Sequence, residues 1–217
     1  MFEIPLFPLN TVLFPGTPLQ LHIFEERYKQ MIAGCLADHT PFGVVLIRHG
    51  SEALGPLAEP YRIGCTAQII QAENLKGGRI NITTLGKERF RILKLDNRSQ
   101  PYLVGQVETY PLSGADGPDL SAPRNELRLR LGRYLARLSA ANLLELSEPD
   151  LPGNPVLLAY LAAAVLHITP IQKQQILSIS GARDLLVRLV TVYDRELALL
   201  ERFLQEPAEP NEVFSRN

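Results

Sequence analysis

Over the first 111 residues apolar positions recur in short runs with a period near two, the spacing at which alternate side chains of a strand face one core. Runs at 2–7, 17–22, 42–48, 64–72, 79–85, 89–95 and 102–110 predict seven strands. Turn chemistry separates them at Pro15-Gly16, at His49-Gly50-Ser51, at Lys76-Gly77-Gly78-Arg79 and at Asp96-Asn97-Arg98-Ser99. The KGGR stretch predicts a tight hairpin, because paired glycines supply the positive φ that such turns demand. In ERFRILKL, residues 88–95, Phe90, Ile92 and Leu95 fall on one side and Arg89, Arg91 and Lys94 on the other. That pattern predicts a strand with one wet face and a bulge where strict alternation slips.

Residues 24–38, FEERYKQMIAGCLAD, break the period of two. Tyr28, Ile32 and Cys35 or Leu36 recur at helical spacing, and Glu25 and Glu26 suit the positive end of a helix dipole, so one helix is expected among the strands. Proline has no N–H to give a ladder and belongs at strand starts, edges and bends. Pro5, Pro8, Pro15 and Pro18 therefore predict a chain that turns corners around a compact barrel.

Beyond residue 112 the pattern changes. SGADGPDLSAP, residues 113–123, is rich in turn formers and reads as a linker. A helical stripe of Leu127, Leu131, Tyr134, Leu135 and Leu138 follows, in a helix capped by Ser121 and running to about residue 146. Asn154-Pro155 and Thr169-Pro170 each open a further helix, and a last one spans 182–205 with Leu185, Leu189, Val192, Leu200 and Phe203 on one face. The expected fold class is α+β: a β-barrel with one inserted helix over 1–112, a linker over 113–123, a helical bundle over 124–206 and a flexible tail over 207–217.

Charge narrows the partners. There are 22 basic and 23 acidic residues, split almost evenly between the two halves, so neither half attracts a polyanion and no nucleic-acid partner is expected. The Arg89, Arg91, Lys94, Arg98 series is interleaved with Glu88 and Asp96 and reads as a solvated strand face. The opening MFEIPLF lacks the basic start of a signal peptide. The longest apolar block, residues 155–168, falls short of the roughly 20 residues a membrane span needs. Two cysteines, Cys35 and Cys65, form no disulfide framework and fit a reducing, cytoplasmic setting.

Reactive constellations are missing. No phosphate loop, dinucleotide glycine motif or nucleophile elbow occurs, and the four histidines show no ligand spacing. Cys35 and His39 lie four apart but lack further ligands or an orienting group. No catalytic residue, metal or cofactor is expected.

The stretch PLFPLNTVLFPG at 5–16 precedes L-x-I-F-E-x-R-Y at 21–28 and the strand that carries Gly64, Cys65, Thr66 and Ala67. Gly78, Arg79, Ile82, Gly86, Arg89, Phe90 and Ile92 follow in order, and then Gln174 to Leu177 with a basic, leucine-rich helix. This series resembles the N-terminal substrate-binding domain of Lon proteases over about residues 2–205. The resemblance implies a PUA-like β-barrel followed by a helical bundle. It also implies recognition of unfolded or exposed apolar polypeptide. The ATPase and Ser-Lys protease modules that follow this region in full-length Lon proteases are not expected in a chain ending at Asn217, so the expected role is that of a non-catalytic adaptor or regulator of proteolysis. Leu13, Phe14, Phe24 and Tyr28, near the proline-enforced bend, are the expected polypeptide-binding residues, with Glu25 and Arg27 pairing locally. An unfolded polypeptide, or a protease as protein partner, is the expected ligand. RNA binding, known for other PUA-like barrels, is the alternative, and a small-ligand sensor is the third reading, by fold-level likeness to cereblon.

Overall fold

The computed structural model describes residues 1–52, 58–140 and 151–205; the tail expected over 207–217 lies outside them. The strands are β1 (Phe2–Leu9), β2 (Pro18–Ile23), β3 (Phe42–His49), β4 (Glu59–Pro60), β5 (Ile63–Asn74), β6 (Ile80–Asp96) and β7 (Leu103–Thr109), with helix α1 (Glu26–Ala37) between β2 and β3. They form one sheet along β1-β7-β6-β5-β3, which returns to β1 through a parallel β1–β3 pairing. The ring is closed but is not a regular barrel, because β2 is attached outside it to β6 and the short β4 to β3.

Two expectations change here. Residues 79–95 were predicted as two strands, yet β6 is one strand of 17 residues. It stays paired to β5 from Arg91 back to Ile80, while its first half holds β2 and its second half holds β7. The predicted slip in alternation is present as a register shift between Ile92 and Lys94. Pro5 and Pro8 lie within β1 rather than at corners. Each sits in a half of β1 with one neighbouring strand, β7 for Pro5 and β3 for Pro8, so a missing donor need not interrupt a ladder. Pro15 and Pro18 do mark a turn and a strand start. The KGGR hairpin forms as predicted, with Gly77 and Gly78 at φ of 78° and 69°.

The helical half comprises α2 (Ser121–Ala140), α3 (Pro155–Val165), α4 (Pro170–Leu177) and α5 (Ala182–Gln205). The expected extension of α2 to residue 146 falls outside the described residues. Its stripe, Leu127, Leu131, Tyr134, Leu135 and Leu138, is buried throughout. The two Asn/Thr-Pro starts form the anticipated caps. Asn154 Oδ1 accepts from the N–H groups of Val156 and Leu157 at 2.9 and 3.0 Å, and Thr169 and Gln172 make a reciprocal capping box. Tyr193, fully buried on α5, donates to the Ala162 carbonyl at 2.8 Å and packs edge-on to Tyr134. Tyr193→Phe is expected to lower stability by about 1 kcal/mol, the typical net value of one buried hydrogen bond, read as a shifted urea midpoint with an unchanged slope.

Barrel and bundle are joined by specific contacts. Ser113 donates its N–H to the Ser180 carbonyl at 2.8 Å and accepts from the Ala182 N–H at 2.9 Å, so this end of the expected linker is tied down. Gln174 Nε2 donates to the Ile63 carbonyl at 3.0 Å. Arg89, expected on a wet face, is instead 3% exposed, and its Nη1 donates to the carbonyls of Leu177 and Ile179 at 2.6 Å each. The outward face of β6 at this point is covered by the end of α4, and alternation along one strand cannot register a cover supplied from 88 residues away. Adjacent residues of the β1–β2 loop divide between the two cores: Leu13 enters the barrel core and Phe14 the bundle core, beside Tyr160.

Candidate functional site

β2 carries the sequence PLQLHI, in which Leu19 and Leu21 are half-buried, Ile23 is buried, and Gln20 and His22 are exposed. Its register against β6 runs from Pro18↔Leu85 to Ile23↔Ile80. Among the described residues it pairs with no other strand. An edge of this kind offers unpaired N–H and C=O groups to another extended chain.

The chain leaves β2 through Phe24, which is 49% exposed and lies 6.2 Å from the His22 ring, measured between centroids. Beside it is a pocket of about 310 Å³, walled by Phe7, Leu9, Leu21, Ile23, Phe24 and Tyr28 and edged by Glu25 and Glu52. The pocket is pre-formed. Phe7 and Tyr28 stack at 4.1 Å between ring centroids, and the Arg27 guanidinium lies 4.7 Å from the Tyr28 ring. Arg27 is in turn held by Glu25 at 2.9 Å, the local pairing expected for these two residues, and Glu25 makes no side-chain cap to α1. Burial pushes the Tyr28 hydroxyl above its ordinary range, so it stays a neutral donor. A second, polar depression of about 420 Å³ adjoins β2, lined by Gln20, His22, Gln71, Glu73, Asn81 and Thr83. His22 Nδ1 and Asn81 Oδ1 are 2.7 Å apart within it.

Of the four residues expected to contact polypeptide, the structure brings Phe24 and Tyr28 to one pocket, Phe24 at its rim and Tyr28 at 4% exposure in its wall. Leu13 and Phe14 are 3% and 0% exposed and lie inside the two cores. The edge strand itself was missed as a site, because no single residue type in PLQLHI marks it. The signal was topological: a short strand between a turn and a helix, with one partner.

Cys35 and Cys65 are buried, and burial raises both thiols, Cys65 to about 12, which suppresses the thiolate. No group of three or more His, Cys, Asp or Glu is placed to hold a metal ion among the described residues. No described helix is long and apolar enough to cross a membrane.

Residues 3–194 match the family described as the ATP-dependent protease La (LON) substrate-binding domain. The chain belongs to that family. Among solved structures, a Lon N-terminal domain protein from Xanthomonas campestris superposes with a TM-score of 0.66 at 23% identity, covering 88% of this chain and 98% of that one. The N-terminal domain of a Mycobacterium avium complex Lon protease gives 0.68 at 19% identity, over 89% and 98%. At these identities the likeness is one of fold. Among curated relatives, Lon protease 2 of Syntrophobacter fumaroxidans is 24% identical over 92% of this chain, and a Lon protease of Paraburkholderia phytofirmans is 29% identical over the same share. Each match spans 25% of the relative's own length, so this Lon-type domain corresponds to about a quarter of those proteases. The matched region is the substrate-binding domain.

Proposed function

We propose that this protein binds extended apolar stretches of polypeptide along the free edge of β2, and acts without catalysis of its own as an adaptor or regulator of proteolysis. The observation that carries the reading is the unpaired β2 edge ending at the half-exposed Phe24 beside an aromatic-walled pocket. Backbone groups of β2 supply sequence-tolerant hydrogen bonds, and the pocket takes one apolar side chain of the bound strand. Phe24 is the contact residue and Tyr28 part of the pocket wall. Leu13 and Phe14 act indirectly, by anchoring the loop that leads into β2. The family description supports a substrate-binding role, and the buried free thiols fit a cytoplasmic setting.

Fluorescence anisotropy against a labelled, permanently unfolded polypeptide tests this. Saturable binding that survives added salt is expected. Phe24→Ser should weaken it about tenfold, the equivalent of roughly 1.4 kcal/mol of lost apolar contact. Absence of binding, or a Phe24→Ser variant that binds as well as the parent, would refute the assignment. Binding to a labelled single-stranded RNA alone, falling steeply with salt, would replace it with RNA recognition.

A further inference from the structure

The apolar pocket beside Phe24 carries one carboxylate that the fold leaves uncompensated. Two acidic residues edge it, Glu25 and Glu52. Glu25 is paired with Arg27 at 2.9 Å, and that guanidinium lies against the Tyr28 ring. Glu52 is half-buried, and no Lys, Arg or His forms an ion pair with it among the described residues. On α1, Glu26 and Lys29 pair with each other at 3.3 Å. His22 also lines the pocket, but its Nδ1 is 2.7 Å from Asn81 Oδ1. The balance at the pocket mouth is therefore negative.

This carboxylate is held in place. Its Oε2 accepts from the Asn10 backbone N–H at 3.0 Å, which ties Glu52 to the residue after β1. Its Oε1 accepts from none of the described residues, and the side chain keeps part of its surface in solvent. Glu25 and Glu52 both act on the Tyr28 hydroxyl through their charge, which places them close to the aromatic wall.

We propose that the pocket selects apolar segments that carry a lysine or arginine beside the anchored side chain, with the cation set against Glu52. This rests on the assignment of polypeptide binding to the β2 edge. The apolar side chain fills the pocket, and the flanking cation meets a carboxylate that has already lost part of its hydration. An ion pair is stronger there than on open surface. Long basic side chains suit the position, because their methylene stems cover apolar surface at the rim while the charged head reaches the carboxylate. An aspartate or glutamate in the same place meets like charge and is rejected.

Anisotropy titrations of three labelled peptides test this, each a Val-Phe-Val core in a Ser-Gly background with Lys, Gln or Glu on both sides of the core. Placing the residue on both sides removes any dependence on the direction in which the peptide lies. At low salt, affinity is expected to fall in the order Lys, Gln, Glu, with about tenfold between first and last. Added salt should narrow that spread and leave the Gln peptide bound. Glu52→Gln keeps an acceptor for the Asn10 N–H and should cut the spread to about twofold. Glu73→Gln removes the same charge from the adjoining polar depression and should leave the spread intact. Equal binding of the three peptides, a spread that survives Glu52→Gln, or one that Glu73→Gln cuts as deeply, would overturn this selectivity and leave the β2 edge standing. No binding by any of the three would remove the β2 edge and the selectivity together.

Discussion

Replacing Phe90 by alanine is expected to destabilise the protein by about 4 kcal/mol, within the range for removing a large aromatic from a tight core. Phe90 is fully buried on β6 and packs with Leu6, Val45, Ile92 and Val107. Its ring occupies space that other positions have left vacant. A Cβ at Gly43 would lie 2.7 Å from the tip of the ring, and one at Gly64 would lie 2.6 Å from it. Two glycines on neighbouring strands thus receive one aromatic, and alanine at 90 leaves a void that backbone cannot close. Urea unfolding followed by circular dichroism should show a large fall in midpoint with an unchanged slope. A loss under 1 kcal/mol would mean that the ring is not the keystone of this half of the barrel.

The second large effect belongs to Gly86. The β1–β2 loop is bonded to this residue: the Gly16 N–H donates to its carbonyl at 2.8 Å, and its own N–H donates to the Thr17 carbonyl at 2.9 Å. A Cβ at Gly86 would fall 2.3 Å from the Phe14 carbonyl oxygen, a backbone atom. That carbonyl already accepts from the Thr17 hydroxyl at 2.7 Å. Gly86→Ala must therefore displace the loop, at a cost of about 3 kcal/mol. The strain should travel, because Phe14 sits in the bundle core with Tyr160. Chemical shifts of α3 should move as well as those of β6, and a variant with the stability and spectrum of the parent would contradict the packing described.

Much of this architecture was legible because local patterns and tertiary structure agree. The Leu127 to Leu138 stripe, the Asn154 and Thr169 caps and the KGGR turn each follow from residues within one or two turns of chain. What escaped was decided at a distance. Arg89 looks solvent-facing until α4 is placed over it. Gly86 falls in the gap between two predicted strands until the β1–β2 loop is placed over it, with the Phe14 carbonyl where a Cβ would lie. Leu13 and Phe14 look like an exposed aromatic-aliphatic pair at a bend, yet each has its own core to fill. The site was legible in part, since Phe24 and Tyr28 do share a pocket, but the unpaired edge beside them is a property of sheet topology.

If polypeptide binds at the edge of β2, the amides of that strand must respond to it. Backbone amide shifts of the labelled protein, recorded while a permanently unfolded polypeptide is added, test it most directly. Saturable shifts are expected, concentrated on residues 19–24 and on the walls of the Phe7–Tyr28 pocket, with slowed amide exchange along β2. Binding that leaves those amides unmoved and perturbs another surface would contradict it.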